Sequence, residues 1–250
     1  MELYELVNFM DEYLKVNEID DVSANGLQIE GKKEVKKICL CVDGSLESFK
    51  EASKIKADML IVHHGLIWGG LKSIRGLVKE RIAFLIENKI SLYASHLPLD
   101  MHSEVGNNIQ LTKLLNLSNP EQFGSYHGLK IGFKGKYENP KSINDISQIL
   151  EKYLPAKTES FQFGSDRIKS VGIVSGGGSS VFEDCIKEGL DLFITGESSH
   201  TIYHDAKEAG INLIFAGHYA TEKLGVMALG KKIEEKFGLK TEFIDIPTGL

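Results

Sequence analysis

The chain repeats itself. "ADMLIVHHG" (57–65) stands where "LDLFITGES" (190–198) stands, and "SLYASHLPLD" (91–100) stands where "NLIFAGHYATE" (212–222) stands. An internal repeat constrains a fold more than any single motif, because each copy must form the same supersecondary unit. Around these segments the first half reads as a strand (VKKICLCVDG), a helix (SLESFKEASKIKA, Ser45 as N-cap and Ser48 next in line), a strand (DMLIVHHG), a helix (SIRGLVKERIAFLIENKI), a strand running into a loop (SLYASHLPLD) and a helix (NNIQLTKLLNL). The second half gives strand (IKSVGIVSGGGS), helix (SVFEDCIKEG), strand (LDLFITGE), helix (SSHTIYHDAKEAG), strand into loop (INLIFAGHYATE), long helix (KLGVMALGKKIEEKFG) and a closing strand (KTEFIDI). Such alternation builds open sheets of mostly parallel strands covered by helices.

Three further segments frame the repeat. Leu3, Leu6, Val7, Met10 and Leu14 recur at helical spacing ahead of it. Asn25-Gly26 is a turn signal. Between the halves, "GLKIGFKGKYENP" (128–140) alternates as strand and turn, and "SINDISQILEKYL" is helical. The expected fold is therefore α/β: two similar α/β domains from an internal duplication, 1–124 and 125–250, with the C-terminal segment free to pack back on the first.

Composition narrows the class. At 250 residues the chain is long enough to bury a core. A net charge of −6 gives no global attraction to nucleic acid or anionic lipid. Cys39, Cys41 and Cys185 are too few and too odd in number for a disulfide framework; on a strand, Cys39 and Cys41 share a face and read as buried thiols. No apolar run approaches the ~18 residues of a membrane span. "MELYELVNFMDEYLKV" is acidic and amphipathic, unlike a signal peptide, so the expected location is the cytoplasm.

The chemistry-bearing residues fall where open α/β sheets place their sites, outside the carboxyl ends of strands. His63 and His64 end one strand. His96 and Asp100 follow another, His218 and Glu222 follow the equivalent strand of the second half, and Glu197 follows "FITG". The pattern H-x-x-x-[DE] thus occurs at equivalent places in both halves. Four of the chain's eight histidines converge there with two or three carboxylates. On a regular strand His63 and His64 point to opposite faces, so they serve one pocket only if the backbone leaves strand geometry, which Gly65 permits.

Imidazole and carboxylate donors without thiolate suit Zn, Fe, Mn, Ni or Co more than Ca or Mg. They are too many for one tetrahedral zinc and fit two divalent metal ions, an arrangement that suits hydrolysis.

Other features carry less. His200 and His204 are i,i+4 on a helix that begins beside Glu197; a solvated face is the default for them, and a supporting or substrate-binding role for Glu197 and His204 is the alternative. His102 and His127 carry no usable signal. "SGGGSS" (175–180) lacks the lysine of a phosphate-binding loop and reads first as a tight turn. "GKKEVKK" (31–37) and the "GKK" near Lys231 read first as solvated ends and turns.

Taken in order, "NGLQIEG", "IVHHG", "SHLPLD", "TGESS" and "GHYATE" resemble the YbgI-like dinuclear-metal proteins, also called the Nif-three-like family or type 2 homologues of GTP cyclohydrolase I. The resemblance runs from Asn25 to Glu222. It implies two similar α/β domains with a metal pair in the cleft between them, and a homohexamer assembled as a toroidal trimer of dimers. It implies His63, His64, Asp100, His218 and Glu222 as metal ligands. The histidine at the position of His96 lies near the metals without regularly binding them, so His96 is expected to support the site or transfer protons; in a hydrolase, His96 or Glu197 would shuttle protons. The chain departs from the family's usual pattern at Leu97-Pro98 and at His200, and lacks the long insertion some relatives carry between the halves.

The leading expectation is a dinuclear metal-dependent hydrolase acting on a small molecule, with a GTP cyclohydrolase-like reaction on a purine nucleotide as the first candidate. The alternative is a metal-binding regulatory or nucleic-acid-binding ring without turnover; a lumen lined by Lys and Arg would favour it.

Overall fold

The structure is a computed structural model, and it describes residues 1–154 and 156–250. It comprises two compact units. One is Met1–Val105 with Gly225–Ile246, the other Gly106–Leu224 with Pro247–Leu250.

In the first unit, α1 (Leu3–Leu14) buries Leu3, Leu6, Val7, Met10 and Leu14, the residues its spacing singles out, and ends at Lys15 in the left-handed region. The chain continues through β1 (Gly26–Ile29), β2 (Lys37–Asp43), α2 (Leu46–Lys54), β3 (Met59–His64), α3 (Gly76–Glu87), β4 (Ser91–Ala94) and α4 (Leu97–Met101). Ser45 caps α2, and Ser48 returns a reciprocal bond to the Ser45 N–H. Cys39 and Cys41 are buried free thiols.

The second unit runs through α5 (Asn107–Leu114), β5 (Ser118–Tyr126), β6 (Leu129–Lys141), α6 (Ile143–Tyr153), β7 (Glu159–Phe161), β8 (Ile168–Val174), α7 (Phe182–Glu188), β9 (Leu192–Thr195), α8 (Thr201–Ala209), β10 (Asn212–Phe215) and α9 (His218–Phe237). The boundary falls within α9: His218–Leu224 belong to the second unit and the rest to the first. The closing β11 (Lys240–Phe243) joins the first unit's sheet. Among the described residues no helix is long and apolar enough to cross a membrane.

The first sheet has the order β1-β4-β3-β2-β11 and is parallel except for β1. The second has the order β5-β6-β8-β9-β10-β7, with β8, β9 and β10 parallel at its centre and antiparallel strands outside them. Parallel strands buried on both faces read as continuous apolar runs, as "LIV" and "LFI" do.

This division differs from a split at 124/125. Leu111 and Leu115 pack into the second unit's core beside Ile146, Leu150 and Ile173. β11 instead pairs in parallel with β2. β5, unread in the sequence, is an edge strand containing Pro120, a place where a missing N–H is tolerated.

The duplication extends to side chains. Asp58, just before β3, accepts from the N–H groups of Lys36 and Lys37 at 2.9 and 3.2 Å. Asp191, just before β9, accepts from those of Lys169 and Ser170 at 2.9 and 2.7 Å. Each carboxylate ties its strand to the start of the neighbouring one. Strand register then sets the carboxyl ends side by side: Asp43 opposite His64 and Val62 opposite Ala94 in the first unit, Val174 opposite Thr195 and Thr195 opposite Phe215 in the second.

Candidate metal centre

His63 and His64 are the last two residues of β3, and pairing with β4 stops at Val62. Both stay within the strand, yet their ring centroids are 4.6 Å apart. They turn to different neighbours. His63 is fully buried and its Nδ1 donates to the carbonyl of Ser95 at 2.9 Å, beyond β4. A carbonyl only accepts, so this bond fixes the proton on Nδ1 and makes Nε2 the acceptor nitrogen of the ring. The Nδ1 of His64 donates to Asp43 at 2.8 Å, at the end of β2. Gly65 makes the turn possible: any Cβ there would come within 2.3 Å of the Gln28 amide and 2.6 Å of the Ala94 Cβ. Gln28 Oε1 in turn accepts from the Leu66 N–H at 2.7 Å.

The segments "SHLPLD" and "GHYATE" are not loops. His96 is the N-cap of α4 and His218 the first residue of α9. The pattern H-x-x-x-[DE] is therefore an i,i+4 pair on the first helical turn, which puts both side chains on one face. Pro98, which reads as a loop residue, sits in the first turn of α4, where its missing N–H costs nothing.

His96 Nδ1 lies 3.0 Å from Asp21 Oδ2. The same carboxylate accepts from the Leu97 N–H and the Asn25 amide, both at 3.0 Å. Burial pushes the Asp21 carboxyl up, but His96, Asn25 and the Leu97 N–H outweigh it and hold the pKa down at about 2. A carboxyl lowered on folding contributes stability that is fully present above its unfolded value of about 3.9 and lost as pH falls towards 2. Urea midpoints measured from pH 5 to pH 2 should therefore fall less steeply for Asp21→Asn than for the native chain.

In the first unit His63, His64 and His96 bring ring nitrogens within 4.8 Å of one another. Buried Asp100 places Oδ2 3.5 Å from His63 Nε2. In the second unit His218 bridges two carboxylates: Nδ1 meets Glu197 Oε1 at 2.6 Å, and Nε2 meets buried Glu222 Oε2 at 2.9 Å. Burial opposes the charge on His218, but Glu222 and Glu197 overcome it and push its pKa up to about 9. Thr195 Oγ1 donates to the Gly176 carbonyl at 3.0 Å and accepts from the Gly178 N–H at 2.9 Å, holding the glycine turn against Glu222.

The donor chemistry fits a metal. All four histidines have Nδ1 engaged by an oxygen acceptor, which fixes the orientation of the ring. In both units an Nε2 faces a carboxylate oxygen at a spacing that two ligands of one ion adopt. Asp43 and Asp21 are positioning residues that the sequence reading missed. Asp43 was within reach of the strand-end rule; Asp21, remote from every strand end, was not. Replacing Asp43 by asparagine should lower metal affinity about 10–100-fold while leaving the fold intact, as equilibrium dialysis would show.

The other histidines stand apart. His200 and His204 are exposed. His102 Nε2 bonds the Tyr13 carbonyl at 2.9 Å, and His127 occupies the β5–β6 turn at positive φ.

The molecule is thus a two-unit α/β protein with histidines and carboxylates at strand ends, among them groups that could hold a metal. A family model described as Duf34/NIF3 (NGG1p interacting factor 3) matches residues 1–249, and the chain belongs to that family. A Pyrococcus abyssi protein named GTP cyclohydrolase 1 type 2 homolog is 51% identical over 251 residues, covering 100% of both chains. Among solved structures, the ybgI protein superposes with a TM-score of 0.93 at 36% identity over 100% of both chains. A Thermus thermophilus protein gives 0.91 at 39%, again over 100% of both.

Proposed function

We propose that His63, His64 and Asp100 of the first unit and His218 and Glu222 of the second are the ligands of two divalent ions, and that the metal-loaded protein hydrolyses a small molecule. The observation that carries the reading is the convergence of donors: His63, His64 and His96 bring ring nitrogens within 4.8 Å of one another, and His63 and His218 each face a buried carboxylate, Asp100 and Glu222. Divalent ions bound there would supply Lewis acidity and an activated water.

The chain's own residues do the rest. Asp43 and the Ser95 carbonyl hold the paired rings. His96, held by Asp21 and partly open to solvent, accepts and returns a proton. Glu197 orients His218 and, being exposed, exchanges protons with water. Zn, Fe, Mn, Ni and Co all suit the donors.

The names of the curated relatives make a purine nucleotide the first substrate to offer. Metal-loaded protein assayed with GTP, other nucleotides, phosphoesters and peptides should turn over at least one of them. His96→Gln should slow that turnover with metal content unchanged. No turnover with any candidate ion would leave a metal-binding ring without catalysis. The assembly belongs to the same proposal: a homohexameric ring in the cytoplasm, with light scattering reporting six chains.

A further inference from the structure

Trp68 is the chain's sole tryptophan. Its backbone is tied down on both sides: the Ala24 N–H donates to the Ile67 carbonyl at 2.9 Å and the Gly69 N–H to the Val22 carbonyl at 2.7 Å, flanking an isolated bridge between Ser23 and Trp68. The indole N–H donates to the Gly65 carbonyl at 2.9 Å. The ring stands edge-on to His96, centroids 5.0 Å apart at 70°, and 6.0 Å from His64. Despite these restraints the residue is 41% exposed.

An indole held this firmly could have been buried; instead it offers π surface to solvent beside the paired histidines. Its N–H is already bonded, so what it offers a ligand is stacking. A ring immobilised beforehand loses little entropy when something stacks on it. Exposed Lys72 and Arg75 follow in the same loop and favour an anionic substituent.

We propose that Trp68 is the stacking platform for a planar heteroaromatic ring in the substrate, holding it beside His64 and His96. The inference rests on the metal-centre reading and adds to it the side chain that holds the substrate's ring. Sequence-tolerant stacking on an aromatic side chain is how proteins hold bases without reading their edges.

The test uses zinc-loaded protein and the emission of Trp68 itself. Guanosine monophosphate should quench it saturably and ribose 5-phosphate should not. By calorimetry, Trp68→Leu should weaken guanosine monophosphate binding about tenfold or more, and Trp68→Phe should stay within about threefold of the native chain. Zinc content should be equal in all three proteins, which separates lost stacking from a damaged centre. Equal binding of the two probes would overturn the proposal, as would unchanged affinity in Trp68→Leu. Emission that follows protein concentration and ignores the nucleotide would also overturn it, placing Trp68 between copies of the chain. Should zinc not be retained while stacking persists, the metal reading fails and this one stands. Should zinc be retained without stacking, only this one fails.

Discussion

Glu222→Ala protein should lose metal affinity by more than about 100-fold, a larger effect than removing a residue that merely orients a ligand. Glu222 is 3% exposed, and its Oε2 faces His218 Nε2 at 2.9 Å. Alanine removes a proposed anionic donor from a buried place where water substitutes poorly for it. In the metal-free protein the same carboxylate is the leading cause that raises the His218 pKa to about 9. Its loss should lower that pKa, and imidazole resonances followed by NMR titration give this second readout. Glu222→Gln keeps the volume and loses the charge, so it should behave like alanine towards metal while packing like the native chain.

The second large effect concerns Gly176→Ala. Gly176 has φ +59, and a Cβ there would lie 2.1 Å from Glu222 Oε1 and 3.2 Å from His218 Nε2. A left-handed alanine costs about 1–2 kcal/mol. The collision, relieved by displacing the carboxylate, adds about 1–3 kcal/mol. The melting temperature should therefore drop by about 4–20 °C, at roughly 2–4 °C per kcal/mol for a chain of this size. Metal retention should fall with it, because the side chain that must move is one of the proposed donors. A calorimetric scan with and without added zinc separates the two: zinc should raise the melting temperature of the native chain far more than that of the variant.

Much of this was legible in the sequence. The repeat placed Asp58 opposite Asp191, and both carboxylates prove to make the same bonds to the neighbouring strand. The apolar runs located β2, β3, β8 and β9, and the periodic helices fell in place, because short-range pattern is enough to specify both. What stayed hidden depends on contacts between distant residues. Asp21 reaches His96 across 75 positions and Asp43 reaches His64 across 21. Nothing in either local segment announces these bonds, although they set the orientation of both rings. The helical start at His96 was masked by Pro98, a residue equally at home in a loop and in a first turn. The glycine turn at 176–178 reads as a tight connection; its packing against Glu222 appears only when Thr195 and Thr221 fix it in place.

Elemental analysis reaches the centre of the proposal most directly. The protein is stripped with a chelator, reloaded separately with zinc, manganese, iron(II), nickel and cobalt, and freed of excess by gel filtration. Two ions per chain with at least one of these metals is the expected result, falling in Glu222→Ala. No ion retained with any of them, or a Glu222→Ala protein that holds as much as the native chain, would contradict it.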